Sequence, residues 1–140
     1  MIYIKGNFPS FKNSKQFTRS GFVVMSKTVR KFLKTHEHQF DNEDIRNTFL
    51  EELESRSKPY MIGVHFVRGT RHRYDWINMC QGIQDLMVKH GWIEDDNTDI
   101  MFPVPMEVGG LYSSYDKENP GTWIKIHGGI NEHETNKKVN

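Results

Sequence analysis

The sequence predicts an α+β fold in which helices cover one face of a mixed β-sheet. The order of the segments is two strands, a helical region, a strand, a helix and further strands, so strands do not alternate strictly with helices as in a doubly wound fold. The chain has 140 residues, enough for one hydrophobic core. With 36% hydrophobic and 26% charged residues, its composition is that of a soluble globular protein.

Short apolar or alternating segments mark the strands. The predicted strands are Ile2–Lys5, residues 21–25, Tyr60–Arg68 and residues 123–126. We expect the first two to pair as a hairpin, with residues 6–17 as the loop between them. Pro103 and Pro105 confine any strand within residues 100–108 to a sheet edge or interrupt it. A single domain of residues 1–126 is expected, followed by a flexible tail of residues 127–140.

Three segments have helical spacing. Ser26 is a candidate N-cap for the first helix, and Asp41 or Asn42 for the second. The strongest pattern runs from about residue 75 to residue 90, and Gly91 follows at the position typical of a helix end. The apolar face of this helix comprises Trp76, Met79, Cys80, Ile83, Leu86, Met87 and His90. We expect Cys80, the only cysteine, to be inert, and a lone cysteine excludes an internal disulfide and an all-cysteine zinc site.

No apolar run reaches the roughly 20 residues that span a bilayer. The first residues also lack the apolar stretch of a secretory signal, so we expect a cytoplasmic protein without a membrane partner.

The net charge is only +1, but the charges are segregated along the chain. Residues 1–35 contain no Asp or Glu and many Lys and Arg, and a second basic cluster comprises Arg68, Arg71, His72 and Arg73. Such segregation is typical of surfaces that bind phosphate backbones. A solvated face without acids is the alternative.

Three carboxylates form the candidate catalytic and metal-binding site. Asp75 starts the strongest helix, and Asp95 and Asp96 follow that helix directly. Carboxylate oxygens suit Mg²⁺, with Mn²⁺ as the alternative ion, and such an ion promotes phosphodiester hydrolysis. Asp75 as a plain N-cap, and residues 95–97 as an ordinary turn, are the alternatives.

These residues also resemble a family motif. The chain has Asp75, then Asn78, and Asp95–Asp96 after Gly91, and this arrangement is similar to the pattern of RusA-type Holliday-junction resolvases. The opening residues 9–14 (PSFKNS) and the closing strand after residues 120–121 are similar as well, so the resemblance covers roughly residues 1–126.

The resemblance implies a homodimeric, Mg²⁺-dependent endonuclease that cuts four-way DNA junctions, often in phages or prophages. Two positions depart from the family pattern. Ile77 stands where the family has a second Asp, and Gln81 where it has Lys. In one explanation, Glu94, Asp95 or Asp99 completes the metal shell, and Arg71, His72 or Arg73 supplies the positive charge. In the other, the protein binds junctions without cleaving them.

Phosphate contacts are predicted for residues of the opening loop and the second basic cluster. The predicted DNA-binding residues are Lys12, Asn13, Lys15, Arg71, His72 and Arg73. Phe11 and Phe17 either stack on unpaired bases or close the core, and Tyr112 and Tyr115 are expected in a loop. A homodimeric structural or adaptor protein is the third functional hypothesis.

Overall fold

The computed structural model describes residues 1–11, 15–17 and 23–127, and for residues 15–17 and 23–25 it describes the backbone. The strands are β1 (Ile2–Lys5), β2 (Lys15–Phe17), β3 (Val23–Met25), β4 (Tyr60–Arg68), β5 (Met101–Pro105), β6 (Ser114–Tyr115) and β7 (Gly121–Ile126). The helices are α1 (Lys27–His36), α2 (Glu43–Glu54) and α3 (Trp76–Lys89), with a 3₁₀ helix at Glu37–Asp41. Within these residues, no helix combines the length and apolar character needed to cross a membrane.

The main sheet is mixed, in the order β1-β7-β4-β5. Strand β7 pairs antiparallel with both β1 and β4, whereas β5 and β6 each pair parallel with β4. Strand β5 lies at the edge, where its Pro103 and Pro105 disturb the ladder least. The predicted α+β class, the mixed sheet and the edge position of β5 are therefore confirmed.

The helices cover one face of this sheet. Ile62, Val64 and Phe66 alternate along β4 and are buried in the core cluster with side chains of all three α-helices. The main helical and loop contributors are Phe32, Phe40, Phe49, Met79, Ile83, Leu86, Met87 and Trp92. The Trp92 indole is fully buried and donates a hydrogen bond to the Phe40 carbonyl at 2.8 Å.

The opposite face of β4 is covered by the connection between β5 and β6. His65 is fully buried there, and its Nδ1 donates to the Met106 carbonyl at 2.9 Å. Because a carbonyl only accepts, Nδ1 carries a proton, and Nε2 is hydrogen-bonded to the Ser114 hydroxyl at 2.7 Å. His65 is thus a structural residue that fixes the start of β6 against β4.

The helix ends agree with the sequence prediction. Ser26 caps α1, Asn42 caps α2 and Asp75 caps α3 through their side chains. Gly91 follows α3 with φ +78°, a conformation that glycine adopts without strain.

Two predictions about strands are wrong. Strand β3 pairs with β2 and not with β1, so the predicted loop of residues 6–17 contains a strand. Glycine, proline and asparagine in that segment favour a loop, but β2 and β3 are close in sequence and pair at low loop-closure cost. Tyr115, expected in a loop, lies in the two-residue strand β6, whose pairing depends on β4 alone.

The predicted tail begins at His127, directly after β7. The His127 backbone N–H still donates to the Met61 carbonyl at 2.7 Å. Residues 128–140 lie outside the described residues.

We expect Gly121→Ala to lower the free energy of unfolding by about 1–3 kcal/mol, as overpacking usually does. A Cβ atom at Gly121 would clash with the ring of Tyr3, which packs against Trp123 and donates a hydrogen bond to the Asn119 carbonyl. Denaturant unfolding of the single variants and of Tyr3→Ala/Gly121→Ala measures the effect. The glycine substitution should cost less once the ring is absent, and an equal cost in both backgrounds would contradict this explanation.

Glu37 should make stability depend on pH. Burial alone would raise its pKa, but hydrogen bonds and charges from Lys89 and His90 lower it below the ordinary value. A carboxylate whose pKa is lowered in the folded state stabilises the fold fully at pH values above its unfolded pKa of about 4.3. This stabilisation is lost as the pH falls through the folded pKa. Urea unfolding across the acid range should therefore show a flatter profile for Glu37→Gln than for the wild type. Glu51→Gln, an exposed acid on α2, should keep the wild-type profile.

Candidate nucleic-acid-binding cleft

A cleft of about 500 Å³ opens where α1 and α3 begin. Its walls come from the loop of residues 7–10, the start of α1, the last residue of β4, residues 70 and 72–75 of the connection that follows, and the first turn of α3. The end of β4 is held by parallel pairing with β6 and by antiparallel pairing with β7. The residues that follow β4 therefore start from a fixed position beside the cleft.

Three basic residues contribute to this cleft. Arg68, His72 and Arg73 line it together with Ser26, the N-cap of α1. The first turn of α1 contains no acidic residue, so the partial positive charge of this helix end is not compensated within the helix. The cleft is therefore suited to bind an anion such as a phosphate.

Arg68 is the most unusual of these residues. Its guanidinium lies 4.4 Å from the centre of the Tyr74 ring, and Nη1 lies 3.0 Å from the Met79 sulfur, a weak acceptor. The Nε atom is buried without a hydrogen-bond partner, and within the described part of the chain Arg68 forms no ion pair. Burial lowers the pKa of the guanidinium, although arginine remains a cation near neutral pH.

A partly buried cation without an anion is costly and is usually paired. Arg68 was assigned to the basic cluster from the sequence, but it was not among the predicted phosphate contacts. The signal that could have identified it is its position as the last residue of β4, directly before Gly69 and the connection to α3.

Asp75 lies on the wall of the cleft and also caps α3. Its Oδ1 accepts from the backbone N–H groups of Ile77 at 3.0 Å and Asn78 at 3.2 Å. The Asn78 side chain, 8% exposed, lines the cleft beside it. The cap predicted as the alternative role of Asp75 is present, and the second carboxylate oxygen has no hydrogen bond from the described residues.

Asp95 and Asp96 lie apart from the cleft. Asp95 accepts from the Asp96 backbone N–H at 2.8 Å and from the Asn97 side chain at 3.0 Å, and these bonds lower the pKa of Asp95. The alternative of a turn at residues 95–97 is not met as such, because the turn follows at residues 97–100, where the Ile100 backbone N–H donates to the Asn97 carbonyl at 3.0 Å. Burial first, and the nearby charge of Asp96 second, raise the pKa of Asp85. Asp85 lies about 15 Å beyond Asp75 along α3, at a rise of about 1.5 Å per residue.

Of the three predicted metal-binding carboxylates, Asp75 is the one that lines the cleft and could bind a metal ion there. Among residues 1–11, 15–17 and 23–127, no three His, Cys, Asp or Glu side chains are grouped so that they could hold a metal ion. Asp75 offers one oxygen atom in a cleft with basic walls, which suits Mg²⁺ that takes its other ligands from water and phosphate. The three-carboxylate site predicted from the sequence is not assembled within one chain.

The predicted DNA-binding residues that the structure describes lie in two neighbouring places. His72 and Arg73 line the cleft, whereas Arg71 lies over the ring of Tyr115 in a neighbouring groove. Lys12, Asn13 and the side chain of Lys15 lie outside the described residues. Phe11 stacks on Phe8 and packs against the core, as its core interpretation predicted.

The two departures from the RusA pattern lie on one face of α3. Ile77 is 66% exposed, and Gln81, one turn further, is also exposed. The chain matches no model of a known protein family, and no curated protein is significantly similar to it.

Substitutions of Asp75 should separate its cap role from its charge. Asp75→Ala removes the acceptor for two backbone N–H groups and should destabilise the fold by about 1 kcal/mol. Asp75→Asn keeps an oxygen acceptor and should remain close to the wild type in denaturant unfolding. Equal stability of the alanine variant and the wild type would contradict the cap role.

Proposed function

We propose that this protein is a RusA-type, Mg²⁺-dependent endonuclease of the cytoplasm that acts on four-way DNA junctions. The observation that supports it is a single cleft whose lining includes Arg68, Arg73 and Asp75. Hydrolysis of a phosphodiester needs cationic groups that hold the phosphate and an oxygen ligand for the ion, and the cleft combines both.

Binding to DNA in this proposal depends on the basic wall. Arg68 has no anionic partner in the described part of the chain, so a phosphate can neutralise it without breaking an existing ion pair. His72, Arg73 and the start of α1 surround the same space. Affinity should therefore fall steeply with salt, as it does when lysines and arginines displace counterions from DNA.

The metal in this proposal is held by Asp75, with Asn78 beside it. Mg²⁺ bound there would polarise the phosphate and supply hydroxide near neutral pH. Oδ1 of Asp75 accepts the two cap hydrogen bonds, so the second oxygen, which accepts none from the described residues, is the atom that would bind the ion.

A homodimer is the second part of the proposal. Two matched cuts in a symmetric junction require two sites related by a two-fold axis. Because Asp96 lies near Asp85 and far along α3 from Asp75, we propose that Asp96 reaches a cleft of the partner subunit and supplies its second carboxylate.

A specific observation favours a second candidate, a protein that binds branched DNA without cutting it. Asp75 and Asp95 both use side-chain oxygens for local backbone hydrogen bonds. The family's second Asp and its Lys are replaced by exposed Ile77 and Gln81. In this alternative the basic wall remains functional and the acids are a cap and a turn.

A cleavage assay separates the two candidates. We expect purified protein to introduce symmetric nicks into a synthetic four-way junction in the presence of Mg²⁺ or Mn²⁺. Asp75→Asn and Asp96→Asn should each abolish nicking while keeping junction binding, because they remove charge without removing bulk. Asp44→Asn, an exposed acid at the start of α2, is the matched control and should cut like the wild type.

Mixing the two inactive variants tests the shared site. If Asp96 acts across the dimer, mixed dimers of Asp75→Asn and Asp96→Asn contain one cleft with both acids and regain single nicks. If both acids act within one chain, every cleft in the mixture lacks one of them and cleavage stays absent. Tight junction binding without nicks by the wild type supports the binding protein, and equal affinity for junction and duplex contradicts both candidates.

A further inference from the structure

A groove of about 420 Å³ lies beside the cleft, between residues 68–74 and residues 111–115. Arg68, Thr70 and Tyr74 line both the groove and the cleft, so the two spaces share one wall. Arg71, the predicted DNA-binding residue outside the cleft, lies on this groove.

The groove is held by specific side-chain contacts. The Tyr74 hydroxyl and the Ser113 hydroxyl are hydrogen-bonded at 2.7 Å, which joins the two walls. Ser114 is hydrogen-bonded to buried His65, and Tyr115 pairs with Arg68 across β4 and β6. These contacts place the Tyr115 ring in a defined position although β6 has only two residues.

The surface around the groove is aromatic and exposed. Within the described residues, three of the five exposed large hydrophobic side chains are Leu111 (55%), Tyr112 (61%) and Tyr115 (39%). The Arg71 guanidinium lies 4.1 Å from the centre of the Tyr115 ring. Flat aromatic rings and guanidinium planes are the groups on which unpaired nucleobases stack.

The charges near the groove favour a nucleic acid. Arg68 and Arg71 supply two cations, and neither forms an ion pair within the described residues. Asp116, the acid next to Tyr115, accepts from the backbone N–H groups of Glu118 and Asn119 and is occupied by its own turn. An anionic partner with a flat apolar group therefore matches this surface.

We propose that the groove stacks an unpaired nucleobase while Arg68, at the shared wall, binds the phosphate of the same strand. The inference rests on the proposed DNA binding of the cleft and names the substrate class more closely. The preferred DNA is a branched molecule with unpaired nucleotides at the branch point.

Two junctions with identical arms test this inference. One is fully paired, and the other has two unpaired nucleotides at the branch, one of them 2-aminopurine, whose fluorescence falls when it stacks. We expect the wild type to bind the unpaired junction more tightly and to quench its fluorescence. Tyr115→Leu should weaken that binding about tenfold, which corresponds to about 1.4 kcal/mol of stacking.

Tyr115→Phe is the matched control, because it keeps the ring and should keep both the affinity and the quenching. On the fully paired junction, Tyr115→Leu should bind like the wild type, and its thermal unfolding midpoint should be unchanged. Equal affinities of wild type and Tyr115→Leu for the unpaired junction would overturn the inference and leave the proposed function intact. A change in sedimentation of Tyr115→Leu without a change in DNA affinity would assign the surface to a protein contact and overturn it too. Failure of the wild type to bind any of these DNAs would overturn both proposals.

Discussion

The structure depends on the burial of β4 on both of its faces. Its alternate side chains, Ile62, Val64 and Phe66, pack against the helices, while His65 on the other face bonds to Met106 and Ser114. Strands β5, β6 and β7 all pair with β4. A strand constrained in this way ends at a fixed point. Arg68 and the residues that start α3 are therefore presented at one corner of the sheet.

That corner concentrates uncompensated positive charge. Arg68 contacts a ring and a sulfur atom but no carboxylate of the described residues, and the start of α1 adds a partial positive charge. Glu37, by contrast, pairs with Lys89 and His90. The unpaired and partly buried Arg68 supports the proposed DNA-binding cleft and its neighbouring groove more directly than the net charge of the chain.

The three carboxylates of the predicted metal site show that residues of one sequence motif can lie apart in the folded chain. Asp75, Asp95 and Asp96 suggest a common site because they flank one helix. A helix of 14 residues separates its ends by about 20 Å, so residues at opposite ends meet only if the following loop returns along it. Here Asp96 affects the pKa of Asp85 instead. The acidic motif is present in the sequence. Which side chains each acid approaches depends on the path of the loop after α3 or on a second subunit.

Local chemistry in the sequence determined where helices and most strands begin and end. Ser26, Asn42 and Asp75 cap helices through their own side chains, and the alternating pattern of β4 and the prolines of β5 defined their places. Pairing partners were decided only by the tertiary structure, as for β3 with β2 and Tyr115 in β6. The unpaired state of Arg68 was decided in the same way. The physical reason is that caps and alternation act over a few residues, whereas pairing and charge compensation depend on residues distant in the chain.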